Sequence, residues 1–139
     1  MAEDSNVALV RRWFDEVWNR RRAEVIEELV APDSVCNADD GPMRGPAEFR
    51  ARQYDPFLAA FPDLRVEVEA VVSQGDQVVV RWAATGRHTG GGLGFPATGE
   101  AATFRGMSWI RVAGGKFAEG WQVSNIPEVV RALAARAGT

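Results

Sequence analysis

The sequence is poor in the residues that usually build metal sites and disulfides. Among 139 residues it has one cysteine, Cys36, and one histidine, His88. A single cysteine excludes an internal disulfide, and a transition-metal site would have to rely almost entirely on carboxylates. We therefore expect a protein that uses no metal and no cofactor.

Long apolar runs and an excess of positive charge are also missing. No run approaches the roughly 20 residues that cross a bilayer. The N-terminal segment MAEDSNVALVRR lacks the basic-then-apolar order of a secretion signal. The net charge of −3 argues against a nucleic-acid partner, which needs a basic face. These absences predict a cytoplasmic protein that binds neither membranes nor nucleic acid.

Aromatic side chains, in contrast, are plentiful: the chain has five tryptophans and seven phenylalanines. They can fill a core or line a pocket, and composition does not distinguish the two. The length suits one domain, and no internal repeat or linker interrupts it. We therefore treat residues 1–139 as a single domain.

The first half of the chain has helical periodicity. Apolar residues recur at helical spacing over Asn6–Trp18, with Ser5 as the predicted N-cap, and again over Ala23–Val30. A third helix is predicted over Pro46–Ala60, where Pro56 should kink it or split it in two.

The second half changes to the two-residue period of strands. The run RVEVEAVVSQGDQVVVRWAATG has a Gly75-Asp76 turn between two apolar stretches and predicts a hairpin. The run TFRGMSWIRVAGGKFAEGWQVSN predicts two more strands around a turn at 113–116, and Pro127 then begins a short C-terminal helix. This order predicts an α+β fold in which the helices pack on the concave face of a curved antiparallel sheet. The expected shape is a cone with an apolar interior.

One segment, ATGRHTGGGLGFPATGE, contains six glycines around the single histidine. It has no Gly-Lys-Ser/Thr ending and leads into a strand, not a helix, so a phosphate-binding loop is excluded. Its glycines are most simply those of a long hairpin connection with positive φ angles. We interpret it as a mobile hairpin at the mouth of the cavity that presents His88.

Strand alternation places His88 on the apolar side of its strand. If residues 78–88 form one strand, Val78, Val80 and Trp82 share a face with His88. Imidazole can exchange a proton near neutral pH without a large pKa shift. His88 is therefore a candidate acid/base residue at the cavity rim, and a purely structural role is the alternative.

Short segments spread along the chain resemble one known family. They are VRRWFDEVWNRR, MRGPAEFR, AFPDLRVEVE, GDQVVVRW, TGRHTG and GGKFAEGW. In their order and spacing, over about residues 6–134, they resemble the SnoaL-like polyketide cyclases of the nuclear-transport-factor-two-like superfamily. The resemblance implies a homodimer or tetramer that binds a hydrophobic small molecule in the cone. It also implies ring closure by intramolecular aldol chemistry without a cofactor.

One position departs from that family. The acid/base aspartate implied by the resemblance stands four residues after the tryptophan of an E-x-W motif. Here Glu119-Gly120-Trp121 is followed at that spacing by Asn125. Asparagine can orient a substrate or donate to an oxyanion, but it cannot accept a proton at neutral pH. The catalytic proposal therefore shifts to His88 and Glu119.

Two further polar residues remain open in their interpretation. Alternation along the last strand groups Glu119 with Trp121 and Asn125, and an aromatic surrounding would raise the pKa of this carboxyl group. The alternative is a glutamate at the sheet edge that pairs with Arg105 or Arg111. Asn37 stands where relatives carry a polar pocket residue, or it caps a loop. The predicted substrate-binding side chains are Trp18, Tyr54, Phe57, Trp82, Met107, Trp109 and Trp121.

Together these features predict a cofactor-independent cyclase or isomerase that acts on a hydrophobic, polyketide-like intermediate. Epoxide opening is an alternative, although the Asp-Arg-Asp set of such relatives is not visible around Arg81. Assistance of a hydroxylation is another. A non-catalytic carrier is the third, and Asn125 favours it. The outer face of residues 79–87 mixes charged and small side chains, which is compatible with a modest dimer interface.

Overall fold

Helices form where the sequence has a 3.6-residue apolar repeat. A computed structural model describes residues 2–137, with side chains from Ser5 onwards. The first helix, α1 (Ala2–Arg12), continues as a first π-helical segment (Trp13–Asn19). The helix α2 (Glu24–Leu29) follows. Because α1 begins at Ala2, the predicted N-cap at Ser5 is wrong.

The third predicted helix is a run of three pieces. These are α3 (Gly45–Phe49), a second π-helical segment (Arg50–Tyr54) and α4 (Asp55–Ala60). Pro56 lies in the first turn of α4, where a missing N–H costs little. The predicted division of this helix near Pro56 is confirmed. The chain continues after the sheet into α5 (Ile126–Ala137).

Six strands form one curved, unclosed sheet in the order β2-β1-β6-β5-β4-β3. They are β1 (Val30–Ala38), β2 (Gly41–Arg44), β3 (Arg65–Gln74), β4 (Gln77–Arg87), β5 (Ala101–Ala113) and β6 (Lys116–Ser124). The hairpins β3–β4 and β5–β6 are confirmed where the turn residues predicted them. No helix within residues 2–137 is both long enough and apolar enough to cross a bilayer.

The strands β1 and β2, between residues 30 and 44, are not predicted by the local sequence pattern. Pro32, Asp33 and Asp39 are poor strand formers, so the local pattern favours a loop. The strand β1 pairs in parallel with β6, with Cys36 opposite Gly120. A partner so distant along the chain leaves no local signal in the sequence.

A β-bulge reverses the side-chain alternation within β6. Arg111 pairs with Glu119, whereas the next pair is Val112 with Phe117, so Ala118 is an extra residue. Phe117 consequently points into the buried core, while Glu119 points to the opposite face together with Arg111. Glu119 and Trp121 keep the common face that alternation predicts, but it is the face opposite to the buried Phe117.

The core lies between the helices and the concave face of the sheet, as expected. The side chains of Val78 and Val80 on β4 are fully buried there, and so are Phe61 and Phe104, whose rings meet edge to face at 5.2 Å. Each such apolar side chain contributes about 1.5–3 kcal/mol on burial. The opposite, convex face of the sheet carries no helix.

The glycine-rich segment 88–100 joins β4 to β5 and packs against α4. The amide of Gly90 donates to the carbonyl of Ala60 over 3.2 Å. A Cβ atom at Gly90 would lie 1.9 Å from the carbonyl oxygen of Ala59, and one at Gly92 would lie 2.4 Å from that of Pro56. Two of the glycines are therefore needed for close contact with a helix, in addition to the positive φ angles at Gly92, Gly94 and Gly99.

Candidate ligand cavity

A cavity of about 120 Å³ lies between the concave face of the sheet and the helical layer. This is roughly ten times the space that one water molecule needs. Both π-helical segments, α3, α4, α5 and all six strands contribute to its wall. The aromatic residues of the wall are Trp13, Phe14, Trp18, Phe49, Phe57, Trp82, Phe104, Phe117 and Trp121.

Five uncharged polar side chains interrupt this apolar wall: Ser34, Cys36, Gln53, Ser108 and Gln122. The Oγ of Ser108 accepts a hydrogen bond from the indole Nε1 of Trp82 over 3.1 Å. Because this bond uses a lone pair of the oxygen, the hydroxyl proton of Ser108 remains available to a ligand. The wall therefore offers hydrogen bonds to a carbonyl group without a charge.

The thiol of Cys36 lies in the cavity wall, and its pKa reflects the apolar surroundings. Burial, together with the smaller effect of the negative charges of Asp39 and Asp40, raises its pKa from 9.0 to about 11. A protonated thiol at neutral pH is a weak nucleophile. Cys36 is therefore part of the wall and not a nucleophile at neutral pH.

An exposed carboxylate without a predicted role, that of Asp39 in the β1–β2 turn, binds residues of β6 that face the concave side. Gln122 and Ser124 are the register partners of Ser108 and Gly106, so their side chains point to this side. The carboxylate of Asp39 accepts hydrogen bonds from the amide and the hydroxyl of Ser124 over 3.0 and 2.5 Å. It also lies 3.5 Å from the amide nitrogen of Gln122. Asp39 thus stands beside a residue of the cavity wall, and only the β1–β6 pairing reveals it.

The predicted substrate-binding residues divide into two groups. Trp18, Phe57 and Trp82 line the cavity, while Trp121 borders it but pairs with Trp109 and is 41% exposed. Met107 and Trp109 are about half exposed on the convex face, so their placement in the cavity is wrong. The reason is alternation along β5, where Ser108 and Ile110 take the concave side.

Tyr54 is buried in the helical layer and does not line the cavity. Its hydroxyl donates to the carbonyl of Val17 over 2.9 Å, and its ring packs edge-on to Trp18 at 5.2 Å. Burial raises the pKa of Tyr54. It therefore joins the two π-helical segments, and its predicted access to the cavity is wrong.

His88 is 0% exposed and does not line the cavity, so its predicted place at the rim is wrong. The concave face of β4 is apolar as expected, but Phe61 and the segment 88–100 cover it at this end. The ring packs on Phe61 at 5.5 Å and on Phe95 at 5.4 Å. His88 is consequently part of the packed core, and the largely exposed glycine-rich segment packs on it through the partly buried Leu93 and Phe95.

The other predicted catalytic side chains also bind protein groups. The Oδ1 of Asn125 accepts from the amide of Arg105 over 2.9 Å, and Asn37 donates to the carbonyl of Gly120 over 3.0 Å. Neither residue lines the cavity. Glu119 borders the cavity, but its carboxylate pairs with Arg111 at 3.6 Å, which is the alternative that the sequence left open.

Comparisons with known proteins agree with this architecture. The profile of the family described as SnoaL-like polyketide cyclase matches residues 8–133. A solved structure of a candidate SnoaL-like polyketide cyclase from Jannaschia sp. CCS1 is 29% identical, with a TM-score of 0.85 and coverage of 96% of this chain and 94% of that one. AclR from Streptomyces galilaeus, described as a candidate hydroxylase, is 28% identical, with a TM-score of 0.80 and coverage of 93% and 81%.

A third solved structure, of a candidate polyketide cyclase from Acidithiobacillus ferrooxidans, is 25% identical, with a TM-score of 0.80 and coverage of 96% of both chains. No curated protein matches the chain. The likenesses show that the fold is the cone-shaped α+β fold expected from the sequence.

Proposed function

The chain belongs to the SnoaL-like polyketide cyclase family, and we propose that it closes a ring in, or isomerises, a hydrophobic polyketide-like ketone without a cofactor. One observation carries this proposal: an aromatic-walled cavity on the concave side has uncharged hydrogen-bonding groups inside and a carboxylate, Asp39, next to its wall. Such a cavity suits a flexible apolar chain with carbonyl groups.

The reaction needs three contributions from the protein. A base removes a proton from a carbon next to a carbonyl group, and the resulting enolate carbon attacks a second carbonyl of the same molecule. A carbon–carbon bond forms, and the new alkoxide takes up one proton, so no other reactant is consumed. The cavity contributes by folding the chain until the two carbons meet, which turns the step into a favourable intramolecular one.

In this proposal the proton acceptor is Asp39. Its carboxylate is the acidic group that hydrogen bonds hold beside the wall residue Gln122, and ionised carboxylates serve as general bases within hydrogen-bonding reach of the substrate. The hydroxyl of Ser108 and the side chain of Ser34 are placed to donate to the enolate oxygen. Donors aimed at developing charge in an apolar cavity are effective because little water competes with them.

A carrier for apolar molecules is the second candidate function. It is favoured by the positions of Glu119 and Asn125: the first pairs with Arg111, and the second caps a strand by binding the amide of Arg105. In a carrier Asp39 would only anchor the β1–β2 turn to β6.

Assistance of a hydroxylation is a further candidate function, and the likeness to AclR favours it.

The test uses an aryl-substituted linear diketone that closes a six-membered ring by aldol addition. Binding is followed by the quenching of tryptophan fluorescence, and ring closure by chromatography of the product. We expect Asp39→Asn to slow ring closure at least ~100-fold with little change in binding. Glu119→Gln is the matched control and should retain the wild-type rate.

The outcomes separate the functions. Binding without ring closure by the wild-type protein would support a carrier. Absence of binding would contradict the proposed use of the cavity. Equal rates for the wild type and Asp39→Asn would leave ring closure in place but remove Asp39 as the base.

A further inference from the structure

The indole ring of Trp13 closes one end of the cavity. It packs on the ring of Phe49 in α3 at 5.1 Å and on the ring of Phe117 in β6 at 5.5 Å. Phe49 belongs to the helical layer and Phe117 to the sheet, and both are buried. Trp13 therefore spans the gap between the two layers, at the end of the sheet where Phe117 pairs with Val30.

The first π-helical segment explains how two tryptophans of one helix face the same cavity. Trp13 and Trp18 are five residues apart in this segment, and both line the cavity. In a regular α-helix, residues at this spacing point about 140° apart. The i→i+5 hydrogen bonds of a π-helix instead place them nearly one above the other. The helix type thus adds Trp13 to the wall, whereas an α-helix would turn one of the two away from it.

The polar groups of the wall lie away from Trp13. Phe117, which touches Trp13, and Gln122 both face the concave side of β6, where five residues span at most about 16 Å. Gln122 pairs with Ser108, and the exposed Asp39 stands beside it. The cavity therefore has an apolar end at Trp13 and a polar end that meets solvent near Asp39.

The enclosed volume limits what fits against Trp13. A dry apolar cavity of about 150 Å³ accommodates benzene, and the cavity here has about 120 Å³. One aromatic ring therefore fills the apolar end, and a second, fused ring would overpack it. A chain attached to the ring would continue towards Gln122 and Asp39 at the open, polar end.

We propose that Trp13 sets the size limit for the ligand, and that the substrate is a ketone with a single aromatic ring and not a fused polycyclic one. This rests on the proposed function, because it takes the carbonyl groups to bind at the polar end. The aromatic ring of the ligand packs on the indole of Trp13, and its carbonyl chain reaches Ser108 and Gln122. Contact between the two rings adds to the gain from burying apolar area.

Isothermal titration calorimetry with two ketones tests the size limit, because it depends on neither tryptophan fluorescence nor a reaction. The probes are benzylacetone and its counterpart with a naphthyl group in place of the phenyl ring. By apolar area alone, the naphthyl ketone should bind more tightly. We expect the wild type to bind benzylacetone at least ~10-fold more tightly instead, because the second ring meets Trp13.

Trp13→Ala should remove this preference. Without the indole the apolar end is open, so the naphthyl ketone should bind at least ~10-fold more tightly than it binds to the wild type. Trp13 is only partly buried, which favours a folded variant, and circular dichroism checks the fold. Trp13→Leu is the second variant and should give a smaller gain. Trp109→Ala is the matched control, since it removes the same ring from the convex face and should change neither affinity.

The outcomes distinguish this size limit from the proposed function. A wild type that binds the naphthyl ketone as tightly as benzylacetone overturns the size limit and leaves the proposed ring closure standing. Folded Trp13 variants with wild-type affinities, or a Trp109→Ala protein that gains as much as Trp13→Ala, overturn the role of Trp13. A wild type that binds neither ketone contradicts the proposed function and the size limit together. A gain in naphthyl affinity for the Trp13 variants, with none for Trp109→Ala, supports the proposal.

Discussion

The Nδ1 atom of His88 accepts a hydrogen bond from the backbone amide of Thr98 over 3.2 Å. The hydroxyl oxygen of Thr98 lies 3.1 Å from the same nitrogen, while Nε2 is buried without a hydrogen-bond partner among the described residues. The ring thereby anchors the segment 88–100 to the core at Phe61. This arrangement is that of a structural histidine.

We therefore expect His88→Ala to act on stability. Removing the ring leaves a void and an unpaired amide at Thr98, which together should lower the free energy of unfolding by about 2–4 kcal/mol. Urea titration followed by circular dichroism measures this. Ligand binding by the folded fraction should be unchanged. Wild-type stability combined with a ~100-fold loss of ring closure would restore the catalytic interpretation of His88.

The close contact of the segment 88–100 with α4 predicts a contrast between neighbouring glycines. Gly90→Ala places a Cβ 1.9 Å from the carbonyl oxygen of Ala59, whereas Gly91→Ala meets no atom within 4 Å. We expect the first change to lower the midpoint of thermal unfolding by several degrees, as overpacking costs about 1–3 kcal/mol, and the second to change it little. Equal midpoints would show that the segment is not packed as described.

A second pair of glycines tests the cavity wall. A Cβ at Gly106 would lie 2.7 Å from both the Cζ2 atom of Trp82 and the carbonyl oxygen of Val123, whereas one at Gly120 would approach only the carbonyl oxygen of Trp109, at 3.6 Å. Gly106→Ala should therefore displace the indole of Trp82, shift β6 at Val123, and change both tryptophan fluorescence and ligand binding. Gly120→Ala should leave stability within about 1 kcal/mol of the wild type. Identical ligand affinities for Gly106→Ala and the wild type would argue that Trp82 is not part of the binding surface.

The thiol of Cys36 provides a measurement that needs no substrate. Because its pKa is raised from about 9.0 to about 11 in the folded protein, the protonated thiol is favoured. This contribution to stability is complete below about pH 9 and is lost as the pH rises towards 11. Alkylation by iodoacetamide, which needs the thiolate, should be slow at pH 8.

The same reaction tests the position of Asp39. Its negative charge raises the pKa of Cys36, so Asp39→Asn should lower this pKa and speed alkylation near pH 9. Asp33→Asn is the matched control, as Asp33 lies on the same strand and does not act on the thiol. Mass spectrometry follows the modified fraction. An unchanged pH profile for Asp39→Asn would place its carboxylate farther from the cavity than described.

Local sequence patterns predicted the helices and both hairpins well. The 3.6-residue repeat, Pro56 and the turns at Gly75-Asp76 and Gly114-Gly115 act within a few residues, where patterns are informative. The parallel pairing of β1 with β6 was missed because its hydrogen bonds join residues far apart in the chain. Asp39 was missed with it, since its position depends on that pairing.

The predictions of cavity residues on β5 and β6 failed because strand alternation was assigned to the wrong face of the sheet. Residues Arg105 and Arg111 share their face of β5 with Trp109, and two arginines on one face are a sequence signal for solvent that could have placed this tryptophan correctly. On β6 no comparable signal exists. Ala118 is the extra residue of a bulge, and one such residue moves every following side chain to the other face.

The two π-helical segments have a consequence for how this fold can change. Both border the cavity, and the hydroxyl of Tyr54 in one binds the carbonyl of Val17 in the other. A π turn holds one residue more than an α-helix needs, so losing a single codon within it would restore an α turn while the rest of the helix keeps its face. The side chains within the turn, Trp13 and Trp18 among them, would shift relative to the hollow. A single deletion in these turns can thus reshape the hollow while the flanking helices stay in place.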